Sequence, residues 1–206
     1  NAMKIRIADK RVLIPGAGGT IGSELVRQVS DLDPAQIILL DSAEYNLYQI
    51  EMELSERRPD LAREAILGSV RDQARIEDVV TRLKPSLVFH AAALKHVPIV
   101  EANPMEGVLT NTVGSQIVAD ACRNGGVDLM VQISTDKAVN PTNVMGATKR
   151  LAESYCQALD VAERDSGGTR YVTVRFGNVL GSTGSVVPLF QRQLSNGGPL
   201  TVTHPD

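Results

Sequence analysis

No apolar run in the 206-residue chain approaches the roughly 18 residues that a membrane-spanning helix needs. No secretory leader precedes the first strand-like stretch either. Charge of one sign is equally scarce: 21 basic residues stand against 24 acidic ones, for a formal net charge of −3. With no broad positive field, nucleic acid and anionic lipid are not expected partners, and a polyanionic ligand has to be held by a local site. Cysteine is limited to Cys122 and Cys156, in no CxxC or metal-ligand spacing. That composition predicts reduced core thiols rather than a disulfide framework, and no metal. Internal repeats, low-complexity tracts and linkers are also missing.

What remains is a strict alternation of short β-branched runs with longer helical patterns. Strands are expected at residues 12–15, 36–41, 64–67, 87–91, 129–134, 171–176 and 200–203. Between them apolar residues recur three or four apart, as at Ile21, Leu25 and Val29 and at Ile76, Val79, Val80 and Leu83. The two longest helices are expected at residues 104–122 and 144–161. Such alternation predicts an α/β fold, a Rossmann-like doubly wound parallel sheet with right-handed crossovers. Asn1-Ala2-Met3 reads as a tag remnant, and residues 1–9 are set aside as a lead-in. The last residues, Thr201 to Asp206, follow a strand pattern with no closing helix. The expected division is therefore a dinucleotide-binding domain over 10–177 and the start of a truncated C-terminal substrate lobe over 178–206.

The first strand runs into Pro15-Gly16-Ala17-Gly18-Gly19-Thr20-Ile21-Gly22, where Gly16, Gly19 and Gly22 stand in GxxGxxG spacing. Glycine at such a turn lets backbone N–H groups approach a pyrophosphate, and the following helix, opening at Thr20 and Ile21, adds its positive end. Asp41 ends the second strand 19 residues after Gly22, where an acid binds the adenosine ribose hydroxyls. Ser42-Ala43-Glu44 follows with no base to neutralise a 2′-phosphate, so NAD is expected over NADP.

Three further blocks carry a resemblance. They are Phe89-His90-Ala91-Ala92-Ala93-Leu94-Lys95-His96-Val97-Pro98; Ile133-Ser134-Thr135-Asp136-Lys137 through Met145-Gly146-Ala147-Thr148-Lys149; and Arg175-Phe176-Gly177-Asn178 with Gly184-Ser185-Val186-Val187-Pro188-Leu189-Phe190. With the glycine loop they resemble the extended short-chain dehydrogenase/reductase superfamily. Within it they are similar to the polysaccharide-biosynthesis nucleotide-sugar 4,6-dehydratases, whose substrate is typically UDP-N-acetylglucosamine. The likeness runs from about Lys10 to the chain's end. The superfamily's YxxxK signature keeps its lysine as Lys149, but Met145 holds the tyrosine position. A thioether cannot exchange a proton, so Met145 cannot open the oxidation. The long, membrane-anchored branch of the dehydratases is similar in carrying methionine there.

By this resemblance Asp136 is the acid for the leaving C6 hydroxyl, Lys137 the C5 base and Thr135 the relay for the C4 hydroxyl proton. To act as a base Lys137 needs its basicity depressed, by burial or by the nearby Lys149. Lys149 is expected on the nicotinamide ribose, Ser69 and Val70 beside the adenine, and Ala91, Ala92 and Ala93 against the cofactor. Asn111 is placed among the cofactor residues as a support for the site. Lys95 and His96 are expected to line the sugar pocket, with Asn178, Ser185, Val187 and Phe190 on the nucleotide-sugar and Arg175 either structural or facing phosphate. Implied beyond the chain are transmembrane helices ahead of it, a capping region after it, a cytoplasmic location and a homo-oligomer paired through the two long helices. Two alternatives stay open: a nucleotide-sugar 4-epimerase, and an NAD-binding regulatory module without turnover.

Overall fold

The computed structural model describes residues 2–179 and 186–200. Ala2–Ile7 (α1), Arg11–Pro15 (β1), Thr20–Ser30 (α2), Gln36–Asp41 (β2), Glu44–Arg57 (α3), Arg63–Leu67 (β3), Gln73–Leu83 (α4) and Leu87–His90 (β4) form the first half. Val97–Ala102 (α5) and Pro104–Gly107 (α6) lead into a π-helical turn over Val108–Val113 and then Gly114–Gly125 (α7). Leu129–Thr135 (β5), a 3-10 turn at Asp136–Ala138, Val144–Glu163 (α8), Arg170–Phe176 (β6) and Val186–Ser195 (α9) follow.

Six strands form one sheet in the order β3-β2-β1-β4-β5-β6. The pairs from β3 through β5 are parallel. Side-chain alternation along each strand builds two cores. Leu13, Ile38, Leu40, Val88 and Met130 pack with Ile76, Val79, Val118 and Cys156 on one face. Val12, Ile14, Ile37 and Leu39 pack with Val26, Leu47 and Ile50 on the other. Helices thus cover both faces, the doubly wound arrangement expected. Strand order reverses between β1 and β4, and in such folds ligands bind at the carboxyl ends beside that reversal.

Four expectations need correction or qualification. The lead-in is partly helical, and Ile7 of α1 is buried in the second core. The helix expected over residues 104–122 is three elements, because the π-turn breaks its hydrogen-bond ladder. Strand β4 ends at His90, although Ala91 N still donates to Pro15 O at 2.8 Å. The strand expected at 200–203 falls, apart from Leu200, outside the described residues. The chain divides into two compact units, Asn1–Arg175 and Phe176–Asp206, of which the first holds the whole of β1 through β5. Cys122 and Cys156 are free and buried, and burial pushes the Cys156 thiol up to about 12. Among the described residues no helix is long and apolar enough to cross a membrane.

Candidate cofactor and catalytic site

The turn from β1 to α2 is built from glycines with different reasons for being glycine. Gly16 has φ +83, and a Cβ there would lie 2.5 Å from Ala92 N at the end of β4. At Gly22 a Cβ would sit 1.8 Å from Gly16 O. Both are demanded by the chain's own packing. Gly19 is different. Its nearest neighbour to an added Cβ is Gly16 O at 3.4 Å, an ordinary contact, and the residue is exposed. Gly19 also precedes α2 as its N-cap with no capping side chain. The protein therefore leaves this helix end bare where an anion can approach, and a pyrophosphate fits it. Thr20 and Ile21 are half-buried in the first turn of α2.

Asp41, at the end of β2, accepts from Gly18 N at 2.8 Å and from Ala43 N at 2.9 Å. The carboxylate thus braces the glycine loop, a link that the GxxGxxG spacing does not reveal. Gly18 itself is pressed against α3, where a Cβ would come 2.5 Å from Asn46 Cβ. Ser69 is half-buried in the loop after β3, and its Oγ accepts from Arg71 N at 3.2 Å. Val70 departs from expectation: its side chain is buried in the core beside Gly114, leaving only its backbone to border a ligand. Ala91 and Ala92 are half-buried, and Ala93, Lys95 and His96 are exposed along the loop between β4 and α5.

Thr135 ends β5, and its hydroxyl donates to Asp136 Oδ1 at 2.9 Å. Lys137 Nζ donates to the same oxygen at 3.2 Å. Those two hydrogen bonds, Thr135 first, hold the Asp136 carboxyl below its ordinary range although it is exposed. Lys137 is partly exposed. The burial expected to depress Lys137 falls on Lys149 instead, which is 4% exposed and lowered to about 8. Lys149 Nζ donates to Ile133 O at 2.7 Å, which aims it at the carboxyl end of β5. Met145 is buried one helical turn earlier on α8. Helix α8 is held at its start by two caps. Asn143 Oδ1 accepts from Gly146 N at 2.8 Å, and Glu101 of α5 accepts from Val144 N at 2.5 Å.

Behind these groups lies a buried polar layer. Asn111, in the π-turn, accepts from Leu94 N at 2.8 Å and donates to Leu94 O at 2.9 Å and to Thr148 Oγ1 at 3.1 Å. Fully buried and so engaged, its amide ties the loop after β4 to α8. His90 and Gln132 are register partners across β4 and β5. Both reach Ser115 Oγ, His90 Nε2 at 3.0 Å and Gln132 Nε2 at 3.3 Å. Burial, reinforced by Lys149, lowers His90 to about 3, so it is neutral. Polar residues facing inward from two otherwise apolar strands were the available signal. Glu153, four residues beyond Lys149, takes two hydrogen bonds from Arg175 at 2.9 and 2.5 Å.

Asn178 is exposed, and Phe190 is half-buried on α9 of the second unit. Ser185 lies outside the described residues, as does the side chain of Val187. Among the described residues no cluster could hold a metal ion.

The sequence profile of a family described as polysaccharide biosynthesis protein matches residues 12–206. The capsular polysaccharide biosynthesis protein CapD of Staphylococcus aureus is 50% identical over 97% of the chain and 33% of its own length. A UDP-N-acetylglucosamine 4,6-dehydratase (inverting) of Campylobacter jejuni is 40% identical over 94% of the chain and 57% of its own length. A UDP-glucose 4-epimerase of Rickettsia rickettsii is 36% identical over 96% of the chain and 57% of its own length. The X-ray structure of Pen from Bacillus thuringiensis superposes with a TM-score of 0.87 at 36% identity, covering 96% of this chain and 61% of that one. The chain thus spans between a third and just over half of the length of these curated relatives.

Proposed function

The chain belongs to the polysaccharide biosynthesis protein family, and we propose on that footing that it is the NAD-binding, chemistry-bearing part of a nucleotide-sugar 4,6-dehydratase in surface-glycan synthesis. UDP-N-acetylglucosamine is the proposed substrate. The observation that carries this reading is the run from Thr135 to Asp136 to Lys137 at the carboxyl end of β5, linked by hydrogen bonds of 2.9 and 3.2 Å on one carboxylate oxygen.

Gly19 and the N-terminus of α2 would hold the pyrophosphate of NAD, Asp41 its adenosine ribose and Lys149 its nicotinamide ribose, and the bound cofactor would supply the hydride acceptor that the reaction needs. The protein's own groups manage the protons. As the C4 hydroxyl is oxidised, Thr135 Oγ1 takes its proton and passes its own hydrogen to Asp136. Asp136, now neutral, is the acid that the leaving C6 hydroxyl requires. Lys137, as its free amine, is the base that removes the C5 proton. Met145 takes no part in proton transfer and closes the site with an apolar wall.

A 4-epimerase is the second reading, supported by the relative of that name. It needs oxidation at C4 but has no use for an acid and a base at C5 and C6, and the Asp136-Lys137 pair favours dehydration. The long helices are proposed to pair with those of a second copy, and residues 178–206 to begin the nucleotide-sugar lobe. The test is incubation of the full-length protein with UDP-N-acetylglucosamine and NAD, followed by mass analysis. Loss of one water from the sugar supports dehydration; an isomer of unchanged mass supports the epimerase.

A further inference from the structure

Gly146 sits between Met145 and Lys149 in the first turn of α8, and its surroundings give it a task. A Cβ built on it would lie 2.4 Å from Lys137 O, 3.2 Å from Lys137 C and 3.3 Å from Asn143 Oδ1. Real Cβ atoms do not come as close as 2.4 Å to a carbonyl oxygen, and Lys137 O is backbone, not the free end of a flexible side chain. The helix therefore rests directly on the backbone of the 3-10 turn that carries Asp136 and Lys137.

The start of α8 is fixed by the Asn143 and Glu101 caps, by Lys149 on Ile133 O and by Thr148 on Asn111. The turn is three residues long; Val139 N donates to Asp136 O at 3.0 Å, Lys137 N to Thr135 Oγ1 at 3.4 Å and Thr135 Oγ1 to Asp136 Oδ1 at 2.9 Å. A side chain at 146 would press first on Lys137 O, the backbone atom it meets. Thr135, still within β5, would stay.

We propose that Gly146 is a positioning residue for Lys137: its missing side chain sets how far the base stands from the C5 position, independently of the cofactor. This rests on the dehydratase reading given above. Thr135 and Lys149 lie outside the contact, whereas Asp136 shares the turn and moves with it; the step that uses Lys137, whose own backbone is touched, suffers most.

The experiment uses Gly146→Ala in the full-length protein, with Ala147→Gly as a control for a general change in helix stability. Three readouts are compared: NAD affinity, accumulation of bound reduced NAD in a single turnover, and deuterium uptake at C5 from heavy water. In Gly146→Ala, NAD affinity is expected to hold and reduced NAD to build up, while C5 exchange falls about 100-fold, the scale of an ångström of misplacement. Ala147→Gly should leave the ratio of oxidation to exchange unchanged. A crystal structure of Gly146→Ala should show residues 136–138 moved and α8 in place. Where Gly146→Ala fails to fold, Asn143→Ala loosens the same contact without adding an atom and should lower C5 exchange in the same sense, with Asn143→Asp restoring it. Oxidation and exchange falling together, an unchanged C5 exchange, or movement of α8 instead of the turn would each overturn the inference. Wild-type protein that never exchanges C5 overturns the dehydratase reading, and this inference with it; exchange in the wild type that is untouched in the variants overturns the inference alone.

Discussion

The two halves of the sheet's carboxyl edge are built from different materials. Around β1 and β2 the groups proposed to face the cofactor are mostly backbone: a bare helix end at Gly19 and a turn that only Gly16 and Gly22 permit, with one carboxylate, Asp41, bracing the loop. Around β5 and α8 they are side chains, with Thr135, Asp136, Lys137 and Lys149 supported from behind by Asn111, Thr148 and Glu153. Backbone recognition suits a pyrophosphate, whose charge and shape do not change during reaction. Proton transfers need titratable groups, and those need partners that set their charge.

The largest effect should come from the side-chain half. Asp136→Asn in the full-length protein removes the proposed acid while keeping its shape, and dehydration should slow by about 10²–10⁴-fold. NAD affinity should not move. Single-turnover kinetics beside calorimetric NAD titration measures both; dehydration at the wild-type rate would place the acid elsewhere.

The backbone half should respond in stability. Gly22→Val forces atoms into Gly16 O, and overpacking of this kind should destabilise the fold by about 3 kcal/mol, read from urea denaturation. Gly19→Ala sharpens the contrast, since its Cβ has room. That variant should keep its stability to within about 0.5 kcal/mol and lose NAD affinity. If it binds NAD as the wild type does, the cradle is not at Gly19.

This difference also explains what could be read in advance. Strand positions through β6 were legible to within a residue or so because each β-branched run is bounded by helical spacing. The glycines Gly16 and Gly22 were legible because close backbone approach restricts residue type, whereas the brace from Asp41 to Gly18 N was not. The π-turn was not, since its apolar spacing resembles that of a continuous helix; what it accomplishes is to place Asn111 between Leu94 and Thr148. The burial of the Val70 side chain beside Gly114 was not legible, because only packing tells which way a side chain points. The exchange of burial between Lys137 and Lys149 has the same origin, because it depends on how α8 lies against β5.

A smaller effect tests that burial. Burial lowers Lys149 to about 8 from 10.5, against an opposing pull from Glu153. Between those values the unfolded chain holds a proton that the folded chain lacks, so folding stability should rise with pH across that window. Below about 8 both states are protonated and the contribution is constant. Lys149→Met should remove the rise, seen as a smaller difference between urea midpoints at the two ends of the window. Identical pH dependence in variant and wild type would mean that Lys149 is solvated.

The most direct test follows the hydride itself. UDP-N-acetylglucosamine carrying deuterium at C4 is given to the full-length protein with NAD, and the product is examined by NMR. Dehydration through Thr135, Asp136 and Lys137 requires the product to be a 4-keto-6-deoxy sugar with that deuterium at C6. Deuterium returned to C4 in a sugar that has kept its C6 hydroxyl would contradict it.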